Sequence, residues 1–360
     1  MFLLAPDSWL LYPSLIVNYI RAIYAPKVGV SWTNQTMFAA ISERLEALEE
    51  SEKEKSALLD FVRLLLIGSR DRFVQNERFL WQEKFSDHAT SFQTAIEESA
   101  SAICAEIEAT PPDRPFDAVF GISSEGMLLP GIAERVVSKL GKLAGNRTMQ
   151  LDIGSAGCTA TARAIQLVAS SEIENALIIA MEPTSTMADP KSIARSNWQG
   201  ICTFGDGTAA AWISKKPGYR SIAIDRTAAW RGEASDLIQW HWGSDYYRFG
   251  IAEPEQFETK VRHEVLEAIA DLQIEKVPGA RWAIHPAGVL LLVSLAKKLG
   301  IDRATLEPSI DHFRACSNMS SVSILHILGG LMANARSGET IQWLSMGAGF
   351  HVAYGSGTCV

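Results

Sequence analysis

Short, mainly apolar runs alternate with helical stretches in two successive rounds along this 360-residue chain, and that order constrains its fold more than any other feature. FDAVFGIS, ending at Ser123, and ENALIIAME, ending at Glu182, are runs of the kind buried on both faces of a parallel sheet. Between them lie the helical GIAERVVSKLG after Pro130, the strand TMQLDIG, and an Ala-rich stretch from Thr159 to Ala169 that is apolar around most of its circumference. A helix of that type belongs deep inside a large fold. The tight Gly-Asp-Gly turn of FGDGTAAAWIS then opens another strand. The second round runs from the strand RSIAIDRTAAW through a helix over Glu258 to Leu272 to the strand and turn RWAIHPAG. The apolar helices VLLLVSLAKKLG and SVSILHILGGLMA follow, and TIQWLSMGAGFHVAYGSG closes the chain as paired strands. Such alternation predicts an α/β fold with layered sheets. Upstream, the spacing predicts a buried strand around Ser14 to Ala25, one helix from Met37 to about Leu66 with a solvated charged face, and another from Asp87 to Glu108.

With 47% hydrophobic and 21% charged residues the chain can bury a large core. A net charge of −8 excludes a general nucleic-acid binder, which needs a basic face to neutralise phosphates. The first 20 residues lack a basic start, and Pro6, Asp7, Pro13 and Asn18 interrupt their apolar run. The expectation is therefore a cytoplasmic protein with no leader and no membrane span. Cys104, Cys158, Cys202, Cys316 and Cys359 form no CxxC pair or finger-like spacing, so neither a disulfide framework nor a metal site is expected.

Three residues stand where an α/β fold presents chemistry. Cys158 follows a strand and a glycine-bearing turn and opens the buried helix. Unpaired helix N–H groups there favour a thiolate and can bind an oxyanion, although a small buried thiol in this place can also be plain packing. His285 closes a strand before Pro286 and Gly288, the position from which open sheets present catalytic groups, or it is a structural histidine. Asn318 precedes an apolar helix, where Asn commonly serves as an N-cap. The three together suggest one chemistry. The thiolate takes an acyl group from a thioester, and His and Asn donate to the carbonyl of a malonyl-type thioester as it loses carbon dioxide. The resulting carbanion attacks the Cys-bound acyl group. No cofactor is required, only coenzyme A or acyl-carrier-protein thioesters as substrates.

GISSEGMLLPGI, the Cys158 turn, FGDGTAAAWIS, RWAIHPAG, SNMSSVSILHIL and Gly347-Ala348-Gly349 together resemble the thiolase-fold condensing enzymes. The similarity is to the chalcone-synthase-like type III polyketide synthases and to ketoacyl-ACP synthase III. It implies an αβαβα layered fold of two fused halves, residues 1–214 with the nucleophile and 215–360 with His285 and Asn318, assembled as a homodimer. It also implies a loop role at the oxyanion site for Gly349, aromatic gatekeepers at Phe204 and Tyr247, and Leu129 projecting into a partner's cavity. Glu125 stands where a small hydroxyl residue is common, as a cavity carboxylate or an exposed loop acid. HPAG and MGAG differ from the HPGG and GFGPG of type III synthases; MGAG leans toward ketoacyl synthase III and SNMSS toward type III. Around the Arg72-Phe73 pair only Arg63, Arg70 and Arg72 are available for a cofactor phosphate, so either coenzyme A or a carrier protein can be the donor. Acyl transfer to an amine, alcohol or β-keto acid without decarboxylation is the close alternative. A papain-like hydrolase and a non-catalytic partner subunit are the remaining readings.

Overall fold

The computed structural model describes residues 17–68, 70–154, 156–251 and 257–360. The part of the first strand and the leader-free start expected before Val17 lie outside these residues. Strand β1 (Tyr19–Tyr24) and the pair β2 (Val30–Thr33) and β3 (Asp71–Val74) bracket helices α1 (Asn34–Glu46) and α2 (Glu52–Leu65). The single helix expected over Met37–Leu66 is thus two. Ser51 breaks it by accepting from the Glu54 N–H while the Glu54 carboxylate accepts from the Ser51 N–H, a capping box that starts α2 afresh.

Next come α3 (Phe85–Ala109), β4 (Phe116–Ser123), α4 (Ile132–Leu140), β5 (Ala144–Gly154), α5 (Ala160–Ala169), β6 (Asn175–Glu182), α6 (Arg195–Thr203) and β7 (Gly207–Ser214). The remainder is β8 (Ile222–Arg231), the hairpin β9 (Ile238–Trp242) and β10 (Tyr247–Ile251), α7 (Phe257–Asp271), β11 (Arg281–Ile284), α8 (Val289–Leu299), α9 (Arg303–Cys316), α10 (Ser323–Ala333), β12 (Thr340–Gly347) and β13 (His351–Cys359).

Among the described residues nine strands form one sheet in the order β11-β12-β13-β8-β1-β7-β6-β4-β5. On one side β4 runs parallel to β6, which pairs antiparallel with β7, and β7 with β1. On the other, β11 runs parallel to β12, which pairs antiparallel with β13, and β13 with β8. The same arrangement is therefore built twice, and the two first strands, β1 and β8, join the copies.

Strand periodicity divides the core. In β6, Ala176, Ile178 and Ala180 face the central cluster with α5 and α10, while Leu177, Ile179 and Met181 face the outer cluster under α3 and α4. In β12, Ile341 and Trp343 face the same centre, and Leu344 and Met346 face a second outer cluster with α7, α8 and α9. The two halves of this sheet thus sandwich α5 and α10 and are covered outside, which is the αβαβα layering. Burying β6 on both faces explains why its run is apolar without alternation. Among the described residues no helix is long and apolar enough to cross a membrane.

Candidate active site

The strand ends and central helix starts meet at a cavity of about 310 Å³ lined mainly by apolar side chains. Cys158, His285 and Asn318 all line it, with Phe204, Gly349, Ser124 and Ser320. The three residues singled out from three distant segments are therefore brought to one chamber.

Cys158 sits in the single 3-10 turn Gly157–Thr159 that feeds α5. The loop after β12 presses on this turn. A Cβ added at Gly347 would lie 2.9 Å from the Cys158 nitrogen and 3.2 Å from its Cβ, and one added at Gly157 would lie 3.2 Å from the Ala348 nitrogen. Glycine at 347 is thus a steric necessity for packing this loop against the Cys158 turn. Burial, then the nearby Glu182 and Glu125 carboxyls, push the Cys158 thiol up to about 12, against a hydrogen bond from Ser320 that works the other way. The helix start is expected to favour the thiolate; burial works in the opposite direction, and the sulfur is a thiol at neutral pH.

His285 follows β11 directly; its backbone N–H donates to Leu344 O at 2.8 Å, which continues the sheet by one residue. The ring is fully buried, neither nitrogen has a hydrogen-bond partner among the described residues, and burial pushes its pKa down to about 3. It is a neutral imidazole facing a cavity, with both a donor and an acceptor unspent. A merely structural histidine in so dry a place would be hydrogen-bonded.

Asn318 is pinned by its backbone: its N–H donates to Thr203 O at 3.2 Å and its carbonyl accepts from the Gly205 N–H at 3.0 Å. Its Oδ1 accepts from the Ser320 N–H at 2.9 Å. That contact resembles a cap, but it spends only the oxygen and leaves the amide N–H₂ to act as donor in the cavity. Ser317 and Ser320 on either side hold φ of 60° and 49°, strained values for serine that fix this segment's path.

Phe204 meets Phe249 edge-on with ring centroids 5.4 Å apart, and both line the cavity. Phe249 was missed in the sequence. The side chain of Tyr247, expected in that role, lies outside the described residues. The β9–β10 hairpin also contributes Ile238, Gln239, Trp240 and Ile251 to the wall. Gly349, with φ of 71°, lies on the cavity rim as expected of a loop residue.

Two expectations change. Glu125 is neither a cavity-lining residue nor an exposed loop acid: it is 1% exposed, and its neighbour Ser124 takes the place in the wall. Its Oε2 accepts from the Ser123 hydroxyl at 3.0 Å, and burial together with Glu182 pushes its pKa well above the usual carboxyl range. Glu182 is itself held by the Ser124 N–H at 2.8 Å and by the Ser321 hydroxyl. The basic residues near Phe73 are also spent. Arg72 is fully buried and donates to the carbonyls of Ile201, Cys202 and Phe204, and to Asn34 Oδ1. Arg70 donates to Cys202 O, and Arg63 pairs with Asp60. Arg70 and Arg72 therefore support the Phe204 segment and are not displayed for a phosphate. Leu129 is 97% exposed and does not line its own chain's cavity.

Residues 246–360 match the family model for the C-terminal domain of chalcone and stilbene synthases, and residues 152–229 match that for 3-oxoacyl-[acyl-carrier-protein] synthase III. A "Putative chalcone synthase" of Bacillus subtilis is 24% identical over 259 residues, 68% of this chain and 70% of that protein. The β-ketoacyl-[acyl-carrier-protein] synthase III of Neorickettsia sennetsu is 24% identical over 79% of this chain and 85% of its own. Among solved structures, 1,3,6,8-tetrahydroxynaphthalene synthase of Streptomyces coelicolor superposes with a TM-score of 0.80 at 18% identity, covering 95% of this chain and 99% of that one. The C-terminal type III polyketide synthase domain of Steely1 from Dictyostelium gives 0.79 at 16%, covering 96% and 99%. At these identities the structural likeness establishes the thiolase-like fold. The family-model matches are split, with residues 152–229 resembling 3-oxoacyl-[acyl-carrier-protein] synthase III and residues 246–360 resembling chalcone and stilbene synthases.

Proposed function

We propose that this chain, with its thiolase-like fold and its resemblance to type III polyketide synthases and ketoacyl synthase III, catalyses decarboxylative Claisen condensation of a Cys158-bound acyl group with a malonyl thioester. The observation that carries this reading is a neutral, unpartnered His285 sharing one largely apolar cavity with Cys158 and an Asn318 whose amide N–H₂ is unspent. The Cys158 thiol, protonated at rest, gives its proton to His285 as sulfur attacks the acyl thioester. The imidazolium then protonates the departing thiol and returns to neutrality. In the second stage the His285 N–H and the Asn318 amide donate to the malonyl thioester carbonyl, stabilising the enolate left as the carboxylate departs as carbon dioxide. The enolate carbon attacks the Cys158 thioester, and the sulfur leaves with its electron pair and takes up one proton from solvent, after product departs, to restore the resting thiol. Phe204 and Phe249 narrow the chamber between entering carrier arm and acyl group. The apolar wall excludes water that would protonate the enolate.

Residues 1–214 and 215–360 act in this reading as the two fused halves, and the molecule works as a cytoplasmic homodimer. Support for a second copy comes from β5, an edge strand whose Met149 and Leu151 are 46% and 47% exposed, and from the exposed Met127 and Leu129 beside it. Leu129 then reaches the partner's cavity rather than its own. Intact-protein mass spectrometry with a panel of acyl-CoA and acyl-carrier-protein thioesters tests the chemistry. An acyl-sized gain that vanishes in Cys158→Ala, and that malonyl thioester discharges with carbon dioxide release, is expected. Discharge without carbon dioxide would move the assignment to simple acyl transfer; an adduct that persists in Cys158→Ala would overturn the nucleophile.

A further inference from the structure

Outside the cavity, His312 and Cys316 on α9 and His326 on α10 bring one ring nitrogen each and the thiol to within 4.8 Å of one another. His312 and Cys316 are four residues apart, so they share one face of α9, and the two imidazoles meet edge-on with centroids 5.5 Å apart. We propose that these three side chains form a binding site for a divalent transition-metal ion of the zinc type, clamping α9 to α10. Spacing along the chain concealed it, because it follows no finger pattern and its third ligand comes from the neighbouring helix.

Two independent observations point to a ligand there. Among the described residues, the Nε2 of His312 is buried without a hydrogen-bond partner in a residue only 9% exposed, and His312 does not line the substrate cavity. No acyl or malonyl group explains that orphaned nitrogen, whereas a metal ion satisfies it. In addition, His326 Nε2 lies 3.1 Å from the Thr208 carbonyl. Donation to a backbone carbonyl fixes the tautomer and leaves Nδ1 with a free lone pair, the arrangement found behind metal-bound histidines. Two neutral imidazoles and one thiolate suit Zn²⁺, with the fourth tetrahedral position left to water. Ligands bound at about 2.0–2.3 Å stand roughly 3.3–3.8 Å apart. Modest side-chain rotation closes the present spacing without moving the helices. Binding releases the Cys316 proton.

The position gives the site a consequence. Cys316 is the last residue of α9 and stands two residues before Asn318, while α10 begins with Ser323. An ion held by both helices staples the two flanks of the strained Ser317–Ser320 segment. It would fix the Asn318 amide without touching substrate.

Protein freed of metal by chelation and dialysed against Zn²⁺ should retain one zinc per chain, and Co²⁺ in its place should show a sulfur-to-cobalt charge-transfer band in the near ultraviolet. Cys316→Ala should remove that band, and His326→Phe, which preserves the ring volume, should weaken Zn²⁺ binding by about tenfold or more. Circular dichroism matching wild type shows that each variant is folded. Failure of wild type to retain zinc, or retention unchanged in both folded variants, overturns the proposal. Neither readout depends on condensing activity.

Discussion

The two strand sets of the sheet share an order but are finished differently. The first set has an outermost strand, β5, eleven residues long, which delivers Cys158 and then α5; in the second, no strand lies outside β11 among the described residues, and Asn318 before α10 is held by an isolated bridge to Phe204. The second position ends in Ser123–Glu125 in one set and in His285 in the other. The outer edges also differ: β5 is largely exposed, while β11 is short, buried and covered by α9. A repeated scaffold aims two helix starts and two strand ends at one point. The difference in what each set places there puts the Cys158 thiol on one side and the His285 imidazole and Asn318 amide on the other.

That division predicts separable losses. Asn318→Ala should lower carbon dioxide release from malonyl thioester by about 10²–10³-fold, the usual consequence of removing one oxyanion donor, while acyl loading on Cys158 continues. Single-turnover loading followed by mass spectrometry, set beside carbon dioxide release, distinguishes the two. Equal loss of both steps would show that the sets do not divide the labour.

The contrast between edges gives a smaller effect. Met149→Lys with Leu151→Lys places two charges on the exposed face of β5 and should weaken self-association at least about tenfold, or ~1.4 kcal/mol. Sedimentation equilibrium measures it. A wild type that stays monomeric would remove the second copy from the reading.

Much of this was legible in the sequence because burial on both faces writes a strand such as β6 as a nearly unbroken apolar run, and glycine ends others such as β12. Cys158, His285 and Asn318 were legible as residues at the ends of such runs. Phe249 was not, because the β9–β10 hairpin is short and half-exposed, and an aromatic in such a strand carries no mark of the side it faces. Neither was the fate of Glu125. A charged residue after a strand looks solvated until the fold buries it beside Glu182, and the pairing of Arg72 with carbonyls alone was equally invisible.

Glu125 offers the subtlest way to sharpen the comparison, since it stands behind the strand end that corresponds to His285. Both groups are buried and both are neutral, but for opposite reasons: the imidazole has lost its proton to burial and the carboxyl has kept its own. An unfolded carboxyl titrates near 4.5, whereas the folded one holds its proton to higher pH. The folded state therefore binds the extra proton between those two values, and its stability falls as pH rises through that window. Glu125→Gln keeps the shape and the neutral charge without that proton linkage. Its melting temperature relative to wild type should climb as pH increases above about 4.5 and level off once the folded carboxyl ionises, with a gain on the order of 2–4 °C. Melting temperatures of both proteins across pH 4.5 to 9 measure it. A variant that is less stable than wild type at the alkaline end would mean that Glu125 is an ionised, partnered carboxylate. Losing that charge should also ease ionisation of Cys158 in the alkaline range, read as faster alkylation of the variant by iodoacetamide, the smallest of these effects.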